Sequence, residues 1–89
     1  GGDVITGVKE TSTVHKIAVY PNPTLFGCNF EISGVSDYSL LLKSLWGSPC
    51  KVTITNNYID MSYLLPGLYI LEVSDSRNRL IHIEKIIKL

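Results

Sequence analysis

The sequence predicts an all-β fold: a small antiparallel, immunoglobulin-like β-sandwich of about seven strands. Composition points there first. The chain holds 10 Ile, 7 Val, 6 Thr and 5 Tyr, but one Ala (Ala18), no Gln and four Glu. β-Branched and aromatic residues suit a pleated surface, and the strong helix formers are scarce. Apolar and polar residues then alternate with period two in several short runs. Finally, turn signals recur about every 8–12 residues, the spacing of a small sandwich. No helical segment is predicted between the strands, so a parallel βαβ sheet is not expected. A chain of 89 residues has room for a single domain.

Residues 1–12 are weakly patterned and read as a linker or lead-in, with room for one short strand. Gly1 and Gly2 read as a linker remnant, and the segment has no apolar h-region of a signal peptide. The domain proper is placed at residues 13–89. Val14–Tyr20 is strand-like and is stopped by Pro21-Asn22-Pro23, because each proline fixes φ and removes a donor. Cys28, Phe30 and Ile32 alternate with Asn29, Glu31 and Ser33, and Ser33-Gly34 closes that strand. Asp37–Trp46 is Leu-rich but lacks caps and a helical period, so it is read as a strand ending in the Gly47-Ser48-Pro49 turn. Cys50, Val52 and Ile54 alternate with Lys51, Thr53 and Thr55. Asn56-Asn57 is a turn, and a short extended piece follows at Ile59–Met61. Leu65-Pro66-Gly67 is a further turn. Leu68–Ser74 places Tyr69, Leu71 and Val73 on one face. Asp75–Asn78 is a polar hairpin turn, and Arg79–Leu89 is the last strand.

Eight basic and eight acidic residues give a formal charge of zero. A nucleic-acid partner is therefore not expected, since such domains carry a net basic footprint. No apolar run approaches the ~18 residues that span a bilayer, so no membrane insertion is expected. The neutrality conceals a split. Residues 1–76 hold four Lys against seven acids, and residues 77–89 hold Arg77, Arg79, Lys85 and Lys88 against Glu84. The C-terminal segment is thus distinctly basic and apolar.

Enzymatic chemistry finds little support. There is no G-x-S-x-G elbow, no glycine-rich phosphate loop and no run of acids with calcium-loop spacing. Neither a cofactor nor a metal is expected, because C-x-x-C, H-x-H and H-x-x-x-H are absent. Only a set drawn from His15, His82, Cys28 and Cys50 is conceivable as ligands. Both histidines are expected on the polar side of their strands. Cys28 and Cys50 fall on the apolar registers of theirs, and three readings stay open: two buried thiols, a disulfide, or a reactive thiol. Trp46 is read as capping the core beside its turn. The sharper alternative is a sugar- or protein-binding surface with Tyr38, Tyr58 and Tyr63.

Three stretches taken in order resemble one family: KIAVYPNPT (Lys16–Thr24), IDMSYLLPGLYILEV (Ile59–Val73) and HIEKIIKL (His82–Leu89). Together they resemble the C-terminal sorting domain (type A) of the Bacteroidetes type IX (Por) secretion system. The matching positions are Tyr20, Pro21, Asn22, Pro23, Gly47, Gly67 and Tyr69. The chain departs from the family at SLWGSPC. There Leu45 and Trp46 replace a usual polar pair, and Ser48-Pro49 replaces a basic residue. The cysteine pair is also unusual for the family.

The resemblance implies a seven-stranded immunoglobulin-like fold and a non-enzymatic address carried behind an N-terminal cargo domain. It implies passage through the periplasm and recognition by an outer-membrane translocon and its shuttle protein. Removal by a sortase-like protease at the cell surface would follow. It also points to Lys85, Ile86, Ile87, Lys88 and Leu89 as the secretion signal. Such a segment can add a strand to a partner's sheet edge or be gripped by its carboxylate. The runner-up reading is an immunoglobulin-like adhesion or glycan-binding accessory module.

Overall fold

A computed structural model describes residues 15–89. The lead-in at residues 1–12 therefore lies outside the described residues. Seven strands follow in order: β1 (Lys16–Tyr20), β2 (Gly27–Ser33), β3 (Tyr38–Ser44), β4 (Thr53–Thr55), β5 (Tyr58–Asp60), β6 (Gly67–Asp75) and β7 (Leu80–Lys88). They form a four-stranded sheet, β1-β2-β5-β4, and a three-stranded sheet, β3-β6-β7, with every strand pairing antiparallel. This is the four-plus-three strand order of an immunoglobulin constant-type sandwich.

Each sheet turns its apolar residues toward the other. Cys28, Phe30 and Ile59 come from the four-stranded sheet. Leu42, Tyr69, Leu71, Val73 and Ile86 come from the three-stranded one, and Met61 enters just past β5. Removing each such side chain from water contributes about 1.5–3 kcal/mol. Phe30 and Tyr38 meet edge to face, ring centroids 6.4 Å apart. Tyr69, near the start of β6, donates its hydroxyl hydrogen bond to Leu65 O at 2.7 Å. This is the tyrosine corner of immunoglobulin-type sandwiches: the ring fills the core while the hydroxyl pins the preceding turn.

Three expectations need correction. The strand expected from Cys50 forms only at Thr53–Thr55. Its first residues serve the other sheet: Pro49 bridges Lys43, and the Cys50 N–H donates to Leu42 O. The segment therefore crosses from one sheet to the other, and alternation alone does not report that.

His82 is the second correction. The pairing of His82 with Val73 puts His82 on the inner face of β7, with Glu84, Ile86 and Lys88. His82 Nε2 meets Glu84 Oε1 at 2.7 Å, both side chains half-buried. β7 is the edge strand of its sheet, and polar tips on its inner face can reach solvent past the rim of the core. His15, also half-buried, lies 3.3 Å from Ile81 O through Nε2.

Trp46 does not cap the core. It is 89% exposed at the tip of the turn after β3, because Gly47 N donates to Ser44 O and closes the turn tightly beneath it.

Of the three readings left open for the cysteines, the disulfide is not the one found. Cys28 and Cys50 are both free thiols. Cys28 lies on β2, the strand that carries one half of the inter-sheet bridge in antibody domains, but Leu71 and Val73 occupy the facing strand β6. Cys50 lies in the β3–β4 connection, with its thiol 3.8 Å from Ser48 O.

Candidate functional site

The three family-like stretches lie far apart in sequence and meet at one end of the sandwich. β1 ends there at Tyr20, β2 starts at Gly27, β5 ends at Asp60, β6 starts at Gly67 and β7 ends at Lys88. Ser44, the end of β3, pairs with Tyr69 at the same pole. The loops here are Pro21–Phe26, Leu45–Val52 and Met61–Pro66. The opposite pole holds the start of β1 and the Ser76–Arg79 hairpin, so any segment preceding Lys16 joins the fold at the far end.

The contacts between the first and last stretches are specific. The Asn22 side chain donates from Nδ2 to Lys85 O at 2.6 Å and accepts at Oδ1 from Ile87 N at 2.9 Å. Both partners belong to the outer edge of β7, the edge away from β6. One step further on, Thr24 N donates to Ile87 O and Leu89 N donates to Thr24 O, each at 2.8 Å. This forms a parallel bridge between Thr24 and Lys88. Thr24 is itself buried, and its hydroxyl donates to Gly27 O at 2.5 Å. The two prolines bracket Asn22 in a corner where both X-Pro peptides are cis.

This geometry divides the predicted signal Lys85–Leu89 into inner and outer members. Ile86 is fully buried in the core, and Lys88 is 8% exposed with Nζ on Leu89 O at 3.1 Å. Lys85, Ile87 and Leu89 face outward, with Ile87 46% exposed. Both edges of the strand are occupied here, one by β6 and one by the Asn22–Thr24 segment. Strand addition at this edge, an expectation from the sequence, is blocked in this conformation.

Around the terminus the pole is apolar. A shallow cavity is lined by Pro21, Pro23, Leu25, Phe26, Tyr58 and Leu89. A second joins Leu45 and Trp46 to Leu65, Pro66 and Leu68. Leu25, Phe26, Leu45, Tyr63 and Leu65 are all exposed at this end, Tyr63 at 91%. The four aromatics proposed as one surface are not gathered together. Tyr38 pairs with Asp75 at the opposite pole, and Tyr58 packs beside Gly27. Gly47 takes φ +88° at the tip of its turn, and Gly67 begins β6 at φ +153°.

The basic segment is likewise divided. Arg77 and Arg79 belong to the far hairpin, where Asp75 accepts from both backbone N–H groups at 2.9 Å and from Arg79 Nε at 3.0 Å. The Arg79 backbone N–H is the largest cause holding the Asp75 carboxyl below its ordinary range; the Arg77 N–H and the Arg79 side chain act in the same sense. Among the described residues there is no cluster of three or more His, Cys, Asp or Glu placed to hold a metal ion.

Comparison with protein families matches residues 18–89 to the secretion system C-terminal sorting domain. The chain belongs to this family. It is a type IX secretion C-terminal sorting domain, and the family is not an enzyme family. Membership implies recognition by the type IX machinery, attachment to an N-terminal cargo, and export to the cell surface or extracellular space. No curated protein and no solved structure gave a match. Sequence reading found the terminal segment and the PNP corner of this sorting domain. It missed that Asn22 and Thr24 are the direct partners of that terminus, since no local pattern marks a contact across 63 residues.

Proposed function

We propose that this sorting domain is a non-enzymatic address whose C-terminal pole is read by the type IX outer-membrane translocon and its shuttle protein. In this reading Lys85–Leu89 is the recognition element, with Lys85, Ile87 and Leu89 presented outward and Ile86 and Lys88 anchoring them. The cargo joins at the opposite pole, so it does not screen the recognition end. The domain passes through the periplasm and is removed by a sortase-like protease on arrival at the surface. Residues 1–12 serve as the linker to the cargo, and residues 13–89 as the folded signal. The main support is that three segments resembling the family converge on one exposed, apolar pole that also holds the terminal strand.

The test is a fusion of residues 3–89 behind a signal peptide and a reporter in a type IX-competent cell. Surface display of the reporter is expected. Deleting Lys85–Leu89 is expected to leave it in the periplasm, and equal display from the truncated fusion would refute the role of the terminus. One observation favours the adhesion reading: Trp46 and Tyr63 stand almost wholly in solvent. A Trp46→Ala variant that loses a glycan-array signal without a change in melting would support that second reading.

A further inference from the structure

Granted that Lys85–Leu89 is what the secretion machinery reads, we propose that it is read as a folded composite with Pro21–Phe26, held together by Asn22 as a positioning residue. The occupant we infer is a partner protein offering an apolar cleft with an acidic lip.

A side-chain amide presents a donor nitrogen and an acceptor oxygen at a fixed separation, as a strand's backbone does. Asn22 uses both, on Lys85 O and Ile87 N–H. Reversing the amide would put N–H against N–H and oxygen against oxygen, so the two partners settle its orientation. Asn22 therefore stands in for a neighbouring strand on β7, and Thr24 continues the pairing with backbone groups. Open strand edges are templates for other chains, and covering them is how folded proteins prevent unwanted pairing. Here the covered stretch is the same one that must be recognised. A partner meeting this conformation finds no free edge and must read side chains.

Those side chains fall into two groups. Leu25, Phe26, Ile87 and Leu89 are exposed apolar residues carried by the two clamped segments. Lys85 stands outward among them, whereas Lys88 is turned in. Neither Pro21–Phe26 nor Lys85–Leu89 contains an acidic residue. The two segments thus present apolar side chains with one positive charge, Lys85, while Asp60 lies on the other side beside Gly27, and charge complementarity places an acidic group of the partner opposite Lys85.

The experiment uses the full chain behind the signal peptide and reporter, with Asn22→Ala and Asn22→Asp. Aspartate is nearly the same size but brings a second acceptor against Lys85 O, so it is expected to fail at least as badly as alanine. Asn22→Ala, which removes the acceptor of the Ile87 amide, should speed hydrogen exchange there on the order of tenfold. Both variants should cut surface display several-fold, although Lys85–Leu89 is intact. Binding of the purified chain to the purified translocon complex should weaken as salt is added. Asn22→Ser, too short to span both groups, carries the same test if either variant melts below the growth temperature.

Wild-type display despite a loosened Ile87 amide would overturn the composite, as would full display from residues 80–89 alone. Unchanged exchange at Ile87 in Asn22→Ala would overturn the clamp. Normal display after deletion of Lys85–Leu89 would instead overturn the underlying reading of the terminus.

Discussion

Gly27 has no room for a side chain. A Cβ at this position would collide with Ile59 O and come within 2.6 Å of Tyr58 Oη. Both obstacles belong to β5, the strand paired with β2, so relief requires parting the two strands. Gly27→Ala is expected to destabilise the domain by about 1–3 kcal/mol, seen as a lower denaturation midpoint. Cys28, the next residue, is buried, and burial, with the Glu84 charge as a lesser cause, pushes its thiol up to about 11. Near pH 8 it is almost wholly neutral and therefore a poor nucleophile. Alkylation of the native protein should label Cys50 first and Cys28 only on unfolding. Equal labelling rates would contradict this. Asp75 gives a pH dependence of known sign. Its folded pKa is depressed, so the stabilisation is present above the ordinary carboxylate pKa and is lost as pH falls through the lower folded value. The melting temperature of Asp75→Asn should accordingly vary less than that of the native chain over the acid range.

At the scale of elements, β7 alternates buried and outward residues near its end, and the proposed function gives the two sets different roles. Ile86→Ala removes a fully buried side chain and is expected to cost about 2–5 kcal/mol. Ile87→Ala, one position on, faces outward; it should leave the melting temperature nearly unchanged and reduce export. The pair separates folding from recognition within two adjacent residues. How much of this could be read from sequence depends on the strand. In β2, between two neighbours, Cys28, Phe30 and Ile32 alternate against Asn29, Glu31 and Ser33, and the buried face follows directly. β7 lies at a sheet edge, where half-buried polar tips are tolerated, so Ile83 points out and His82 and Glu84 point in. A register shift between Val73 and Ser74 moves the pairing at the start of β7, and nothing in the local pattern marks it. The Cys50–Thr55 segment misled for a different reason, because period two reports which face is apolar but not which sheet supplies the hydrogen bonds.

Over the whole molecule, the strand order makes the two poles unequal. The pole where β1 starts has a hydrophilic hairpin tied by Asp75 to Arg77 and Arg79, and the chain enters there. The other gathers the PNP corner, the Met61–Pro66 turn, the Trp46 turn and the terminal strand. In the proposed function this separation leaves the pole with the terminal strand free of the entering chain. The split in charge along the sequence does not become a single basic patch, because the arginines and lysines of the last 13 residues are divided between the poles. What the fold concentrates at the pole of the terminal strand is exposed apolar surface rather than charge. The most direct measurement is therefore surface display of a reporter fused to the chain carrying Ile87→Ser and Leu89→Ser together, with melting followed in the same protein. The outward face of the terminus predicts a several-fold loss of display at an almost unchanged melting temperature. Undiminished display from that folded variant would contradict recognition through this face.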